Sequence, residues 1–203
     1  GTNSEIDLYV KGGKVLMETE ADNPIFGSFR GPFTKVMFDL DNQRAYWIND
    51  KDKTYAEESL LASEIEGFNF KTMKTDLDEA KKNLTTPSGS QQIKGYDCEE
   101  YELDGTFLDG KVALSPQLLA EMQTTLTKIE GLQDYDFTGL GFPLAYESKV
   151  GGFAGMKYEA ILVDKKELSD NLFNVDGYKK VDKLEYYKEN FENFDLESFG
   201  LDD

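Results

Sequence analysis

The groups in this chain best equipped for chemistry are its acids, one cysteine and one glycine-lysine frame, because it contains no histidine. An imidazole general base and a His-ligated metal are excluded by that inventory, and the single Cys98 leaves no partner for an intrachain disulfide. Residues 105–111, GTFLDGK, fit the G-x-x-x-x-G-K frame that cradles nucleotide phosphates, but Val112 stands where a Mg-binding Ser or Thr is needed. Asp39, Asp41, Asp50 and Asp52 suggest a calcium loop, since hard cations take several oxygens from one short stretch. The spacing fails: counting from Asp39 the required Gly is Arg44, and counting from Asp50 the bidentate acid is Leu61. Cys98 lies among Asp97, Glu99 and Glu100, which disfavour a thiolate, so it reads as a buried strand residue and not a nucleophile. The adjacent acids Glu57-Glu58 and Glu99-Glu100 point to opposite faces if they lie on strands, and solvation is their default role. A hydrolase built on two carboxylates about 5 to 9 Å apart stays open as a reading, with no acid singled out for it. No catalytic residue, metal or cofactor is expected.

Charge narrows the partners. The chain has 40 acidic and 22 basic residues, a formal charge of -18, which repels nucleic-acid phosphates and anionic headgroups. Nucleic acid is not an expected partner. At 203 residues the chain is long enough to bury a large core without a covalent staple. No apolar run approaches the length of a membrane span, and residues 1–12 hold no signal-like core. The Gly1-Thr2-Asn3-Ser4 start reads as trimmed, with a signal peptide or membrane-anchoring segment expected upstream.

The elements that must position these groups are mostly short strands. Residues 92–115, QIKGYDCEEYELDGTFLDGKVALS, read as a hairpin turning at Asp104-Gly105 and feeding a helix. Upstream, residues 5–11 and 14–21 form a hairpin around Gly12-Gly13, and residues 33–40, 44–48 and a strand beginning at Thr54-Tyr55 form a meander. Aromatic and aliphatic residues occupy both parities there, which predicts a sheet covered on one face and partly sheltered on the other. Residues 57–66 are rich in helix formers, 68–73 suit a strand, and Asp76 with Glu79 marks a helix over 77–84. Ser115 caps the strongest helix, with Pro116 first and Leu118, Leu119, Met122, Leu126 and Ile129 at helical spacing. Strands are expected at 142–150 and 153–163 around Gly151-Gly152 and at 172–175, then a helix through Leu184, Tyr187, Phe191 and Phe194. With no repeat and no long linker, the chain reads as one domain over 1–203 with an acidic segment from about 182. The fold class expected is α+β: a single strongly curved antiparallel sheet, an incomplete barrel, with helices covering its concave face. The 14 Phe, 11 Tyr and one Trp would then line an apolar cavity, with Met17, Phe38, Trp47 and Tyr158 as its candidate lining.

Several motifs together, residues 93–101 (IKGYDCEEY), 141–144 (GFPL) with Tyr146-Glu147, and 173–178 (FNVDGY), resemble domain-of-unknown-function family 4412. Residues 10–15 (VKGGKV) and the meander of residues 39–55 fit its pattern too. That family is similar to the Lol-type periplasmic lipoprotein carriers. Asp176 stands where the family often has Pro, and the segment after Val181 has no counterpart. The resemblance implies a lipoprotein-carrier-like fold, exported to the periplasm or held as an outer-membrane lipoprotein. The expected function is a non-enzymatic envelope protein, monomeric, that binds a lipid or a lipoprotein's acyl chains between sheet and helices. The alternative is an acidic protein-interaction module of the envelope with no small ligand.

Overall fold

The computed structural model describes residues 5–19, 32–62, 64–65, 68–103, 109–150 and 153–190. These fall into two compact units: residues 1–71 with 168–203, and residues 72–167. Antiparallel strands dominate both, so the mixed helix-and-strand class holds. The single curved sheet does not. Among the described residues one six-stranded and one five-stranded sheet stand in its place, with a separate pair of two-residue strands. Alternating polarity identifies a strand and its tight turns but carries no record of which hairpins join into one sheet.

The first unit is a meander of β1 (Ile6–Lys11), β2 (Lys14–Thr19), β3 (Lys35–Asp39), β4 (Arg44–Asn49) and β5 (Thr54–Ser59), closed by the short parallel β13 (Lys179–Lys180). Its register runs Leu8, Met17, Val36, Trp47 and Ala56 straight across, then Tyr9, Leu16, Met37, Tyr46 and Glu57 one residue on. Cross-strand partners share a face and successive residues alternate, so these rungs lie on opposite sides. Leu16, Met37 and Ile48 are covered by Phe173, with Leu168, Leu172, Val175 and Tyr178 around them. On the other side Phe70 meets Phe38 edge to face at 4.9 Å between centroids, and Phe33 lies 6.5 Å from Trp47. Phe33 also contacts Tyr186 and Tyr187 of a C-terminal helix, Lys183–Asn190. Both faces are therefore covered over β3 and β4, while Ile6 and Leu8 of β1 stay exposed.

The turns are held by their own side chains. Asp39, only 4% exposed, accepts from the backbone N–H and the side-chain amide of Asn42, and Asn49 accepts from the N–H of Asp52. These are local side-chain turns of the kind Asp and Asn favour. Of the acids that suggested a calcium loop, Asp39 and Asp52 serve the turns, and Asp50 and Asp52 tether later segments. Among the described residues no group of three or more His, Cys, Asp or Glu could hold a metal.

Residues 57–66 are the clearest departure from the expected elements. The strand β5 runs through Glu57 and Glu58 to Ser59, and a 3-10 turn (Leu60–Ala62) follows it, then the pair β6 (Glu64–Ile65) and β7 (Phe68–Asn69). Pairing with β4 overrides a helix preference worth only tenths of a kcal/mol per residue, roughly. It also sends Glu57 and Glu58 to opposite faces, where each finds a lysine.

In the second unit, α1 (Met73–Asn83) begins a turn earlier than expected, and the Thr72 hydroxyl donates to the Asp76 carboxylate at 2.8 Å. Then β8 (Gly89–Ile93), β9 (Tyr96–Leu103), β10 (Asp109–Ser115), β11 (Phe142–Val150) and β12 (Phe153–Glu159) pair in simple succession. Lys94 and Gly95, both at positive φ, make the β8–β9 turn. The helix α2 (Pro116–Leu126) starts as expected, the Ser115 hydroxyl accepting from the Leu118 N–H at 3.2 Å. Ile93, Tyr96, Cys98, Ala113 and Leu144 form the core under Leu118. Cys98 is 2% exposed, and burial together with Asp97 pushes its thiol pKa up.

Gly110 and Lys111 of the phosphate-loop frame lie inside β10, opposite Ser148 and Glu147. A Cβ on Gly110 would come within 2.3 Å of the Glu147 carbonyl oxygen, which accounts for this glycine by strand packing. The strand expected over 153–163 stops at Glu159, the one over 172–175 is a 3-10 turn (Asp170–Phe173), and the one over 68–73 gives way to α1. The last helix among the described residues is α3, the Lys183–Asn190 segment. Asp104-Gly105, Gly151-Gly152, Phe191 and Phe194 lie outside the described residues.

Candidate acidic groove and the buried aromatic face

At the β1 edge of the first sheet an open groove of about 340 Å³ is lined by Glu5, Asp7, Glu18, Thr19, Thr34 and Lys35. The register explains it. Asp7, Glu18 and Lys35 are neighbours along one rung, so three strands deliver two acids and one lysine to one place. Lys35 pairs with Glu18 and, at 2.5 Å, with Asp50. Tyr178 donates its hydroxyl to Asp50 and accepts from Lys53 at 3.0 Å.

Burial draws the Lys35 ammonium pKa down, but its hydrogen bonds to Asp50 and Glu18 outweigh that and leave it raised. Asp50 mirrors it: burial pushes up, the bonds from Lys35 and Tyr178 pull harder, and the carboxyl ends below its usual range. A lysine held protonated in this way is no nucleophile. Its charge is spent on Glu18 and Asp50, and no ion pair to Glu5 or Asp7 occurs among the described residues. The groove is a wet, negative surface beside an edge strand, suited to cationic side chains.

The four residues expected to line a cavity are divided between the two units. Met17, Phe38 and Trp47 share one face of the first sheet, while Tyr158 lies on β12 in the other unit, 41% exposed and 5.9 Å from the ring of Tyr146. Phe38 and Trp47 are 3% and 2% exposed, their rings in contact with protein. Trp47 donates its indole N–H to Glu58 at 2.6 Å, and the Lys183 ammonium sits 3.7 Å over its ring while reaching both Glu58 oxygens at 3.0 and 3.1 Å. Burial pulls the Lys183 pKa down against the opposing pull of Glu58. Reading the sequence missed Lys35, Glu18 and the Lys183–Glu58 pair. The available signal was a lone lysine heading the apolar run 36–38; the pairing of Lys183 with Glu58 leaves no local trace.

The fold defines a two-unit, largely antiparallel protein with helices beside its sheets. The chain belongs to the family described as a domain of unknown function (DUF4412), whose family model matches residues 1–177. No curated protein gives a significant match. Two solved structures of PNGF-II, in space groups P21 and C2, are each 15% identical, with TM-scores of 0.40 and 0.39. They cover 95% and 96% of this chain but only 30% and 33% of theirs, so this chain spans about a third of their length. Among the described residues no helix is long and apolar enough to cross a membrane.

Proposed function

We propose that this is a non-enzymatic, exported envelope protein, monomeric, that works as an acidic interaction module. The observation that supports this best is the groove at β1, where Glu5, Asp7 and Glu18 line open space at a sheet edge in a chain of net charge -18. A cationic segment laid along β1 would meet these carboxylates and the outward backbone groups of an edge strand together. Capture of basic envelope proteins from extracts of the native cells tests it. Capture should weaken with salt and fall in Asp7→Lys; capture insensitive to both would count against the module. The exported location is part of the proposal, and cell fractionation checks it.

A second reading takes up the expected similarity to Lol-type carriers, with a lipid or acyl chain as ligand. What favours it is the aromatic side of the first sheet, where Phe33, Phe38, Trp47 and Phe70 gather with the half-buried Met17. Native mass spectrometry of protein purified from its own envelope would reveal a retained lipid. A bare polypeptide mass removes this reading.

A further inference from the structure

The first sheet ends at β1, which among the described strands is hydrogen-bonded to β2 alone. In an antiparallel ladder every second residue turns its N–H and C=O away from the neighbour, so β1 carries a row of backbone donors and acceptors along its outer side. Exposed edges are commonly blunted by lysine, proline or a bulge. Residues 6–10, IDLYV, contain no lysine or proline, run in unbroken register with β2 and are rich in strand-forming side chains.

The rungs that reach this edge differ on the two sides of the sheet. On one side Trp47, Val36, Met17 and Leu8 lie in line, and exposure climbs from 2% at Trp47 to 44% at Leu8. Ile6, on the same side, is exposed to the same extent, so an apolar face runs out to the open edge. On the other side the rung reads Lys35, Glu18, Asp7. Lys35 pairs with Glu18, whereas Asp7 ends the row with no ion pair among the described residues and with Glu5 lining the groove beside it. Extended by one strand, the two rungs call for different residues: an apolar one next to Leu8 and Ile6, a basic one next to Asp7. Opposite charges across neighbouring strands stabilise a sheet and like charges destabilise it. A second copy of this chain is the poorer occupant, because two β1 edges paired antiparallel keep their faces on common sides and bring acid against acid.

We infer that the partner of this edge binds as an added strand in which basic and apolar residues alternate, its basic side chains beside Asp7, Glu5 and Glu18 and its apolar ones beside Ile6 and Leu8. This rests on the acidic-module reading and makes it specific. Strand side chains alternate between faces, so the same residues in another order drive a cation onto the apolar side and an apolar group among the carboxylates. Charge alone would accept any basic segment, whereas the edge selects a pattern. Ile6, Asp7 and Leu8 are exposed in the chain as it stands, so the added strand displaces no described element.

Two heptapeptides of one composition test this on the full chain: acetyl-Lys-Val-Lys-Ile-Lys-Val-Lys-amide and the reordered acetyl-Lys-Lys-Val-Ile-Val-Lys-Lys-amide. In isothermal titration the alternating peptide should bind roughly tenfold tighter, the combined effect of a few cross-strand pairs. Amide exchange in β1 should slow when it binds, while exchange in β8 to β12 stays unchanged. Asp7→Lys should weaken both peptides, and Leu8→Gln should reduce the preference for the alternating order. Equal affinity for the two orders, no binding of either, or unchanged exchange in β1 overturns the inference. Equal binding that is still lost with salt and in Asp7→Lys leaves the acidic module standing without the added strand, and binding indifferent to Asp7→Lys removes both. A dimer in sedimentation with β1 protected before any peptide is added assigns the edge to a second copy and overturns the inference as well.

Discussion

The two larger sheets of this protein are built alike and sealed differently. The second is assembled from neighbours in sequence: each strand pairs with the next, α2 leaves directly from β10, and Leu118 of that helix covers the core. The first is sealed from far along the chain. Phe173 covers Leu16, Met37 and Ile48, and Tyr186 and Tyr187 reach Phe33 on the other side, more than 100 residues after the strands they protect. Local closure costs little loop entropy, whereas distant closure must be repaid by the contacts it makes. The first sheet accordingly spends ion pairs and tyrosine hydroxyls on its return segments: Lys11 to Asp170, Lys35 and Tyr178 to Asp50, and Tyr186 to Asp52.

The sharpest way to break this comparison is to open each core in turn. Phe173→Ala should cost about 3–5 kcal/mol and shift the urea transition seen by Trp47 fluorescence. Leu144→Ala, in the other core, should cost about 2–5 kcal/mol and shift the transition seen by circular dichroism while leaving the Trp47 signal in place. If both variants move both signals together, the two units unfold as one block and the contrast drawn here is wrong.

A smaller effect is expected at the β8–β9 turn. Gly95→Ala should destabilise by about 1–2 kcal/mol, because Gly95 has φ +87° and a side chain there is strained although nothing lies near its Cβ. A neutral result in thermal melts would mean that the turn relaxes freely. Ser115→Ala should cost about 1 kcal/mol by removing the acceptor for the Leu118 N–H, and Ser115→Asp should recover it. Equal stability of all three proteins would show that the cap contributes nothing.

The least change should come from pH, and it should fall on the first unit. Hydrogen bonding from Lys180 leads in lowering the Glu57 pKa, and Asp50 is lowered too, its bonds from Lys35 and Tyr178 exceeding the opposing effect of burial. A carboxyl lowered by folding stabilises fully above its unfolded pKa and loses that contribution as pH falls through the folded value. Lys35 works in the opposite sense, its raised pKa holding the network below the ordinary lysine range and releasing it above. Amide exchange in β3, β4 and β5 should therefore quicken below about pH 4, and Asp50→Asn should blunt that response. A response centred on β8 to β12 would contradict the placement of the network.

Much of the scaffold was legible from residue order because its causes are local. Gly12-Gly13 marked the first hairpin, Ser115-Pro116 marked the strongest helix, and the Asp- and Asn-bearing turns marked the ends of β3 and β4, since turn conformations and caps are decided within a few residues. Where local preference and pairing disagreed, pairing won. Residues 57–59 became strand because β4 offered them backbone partners and because Glu57 and Glu58 found lysines more than 120 residues away.

The sequence by itself determined the antiparallel strand-rich class, the buried cysteine, the negative charge and the family, all of which depend on composition, short spacing or motif. Only the tertiary structure decided that the described strands divide between two large sheets, that Phe33 and Phe70 pack on Trp47 and Phe38, and that Lys35 and Lys183 meet the acids they do. Those outcomes follow from burying apolar faces against segments distant in sequence, and a contact of that kind forms only once the chain has come back on itself.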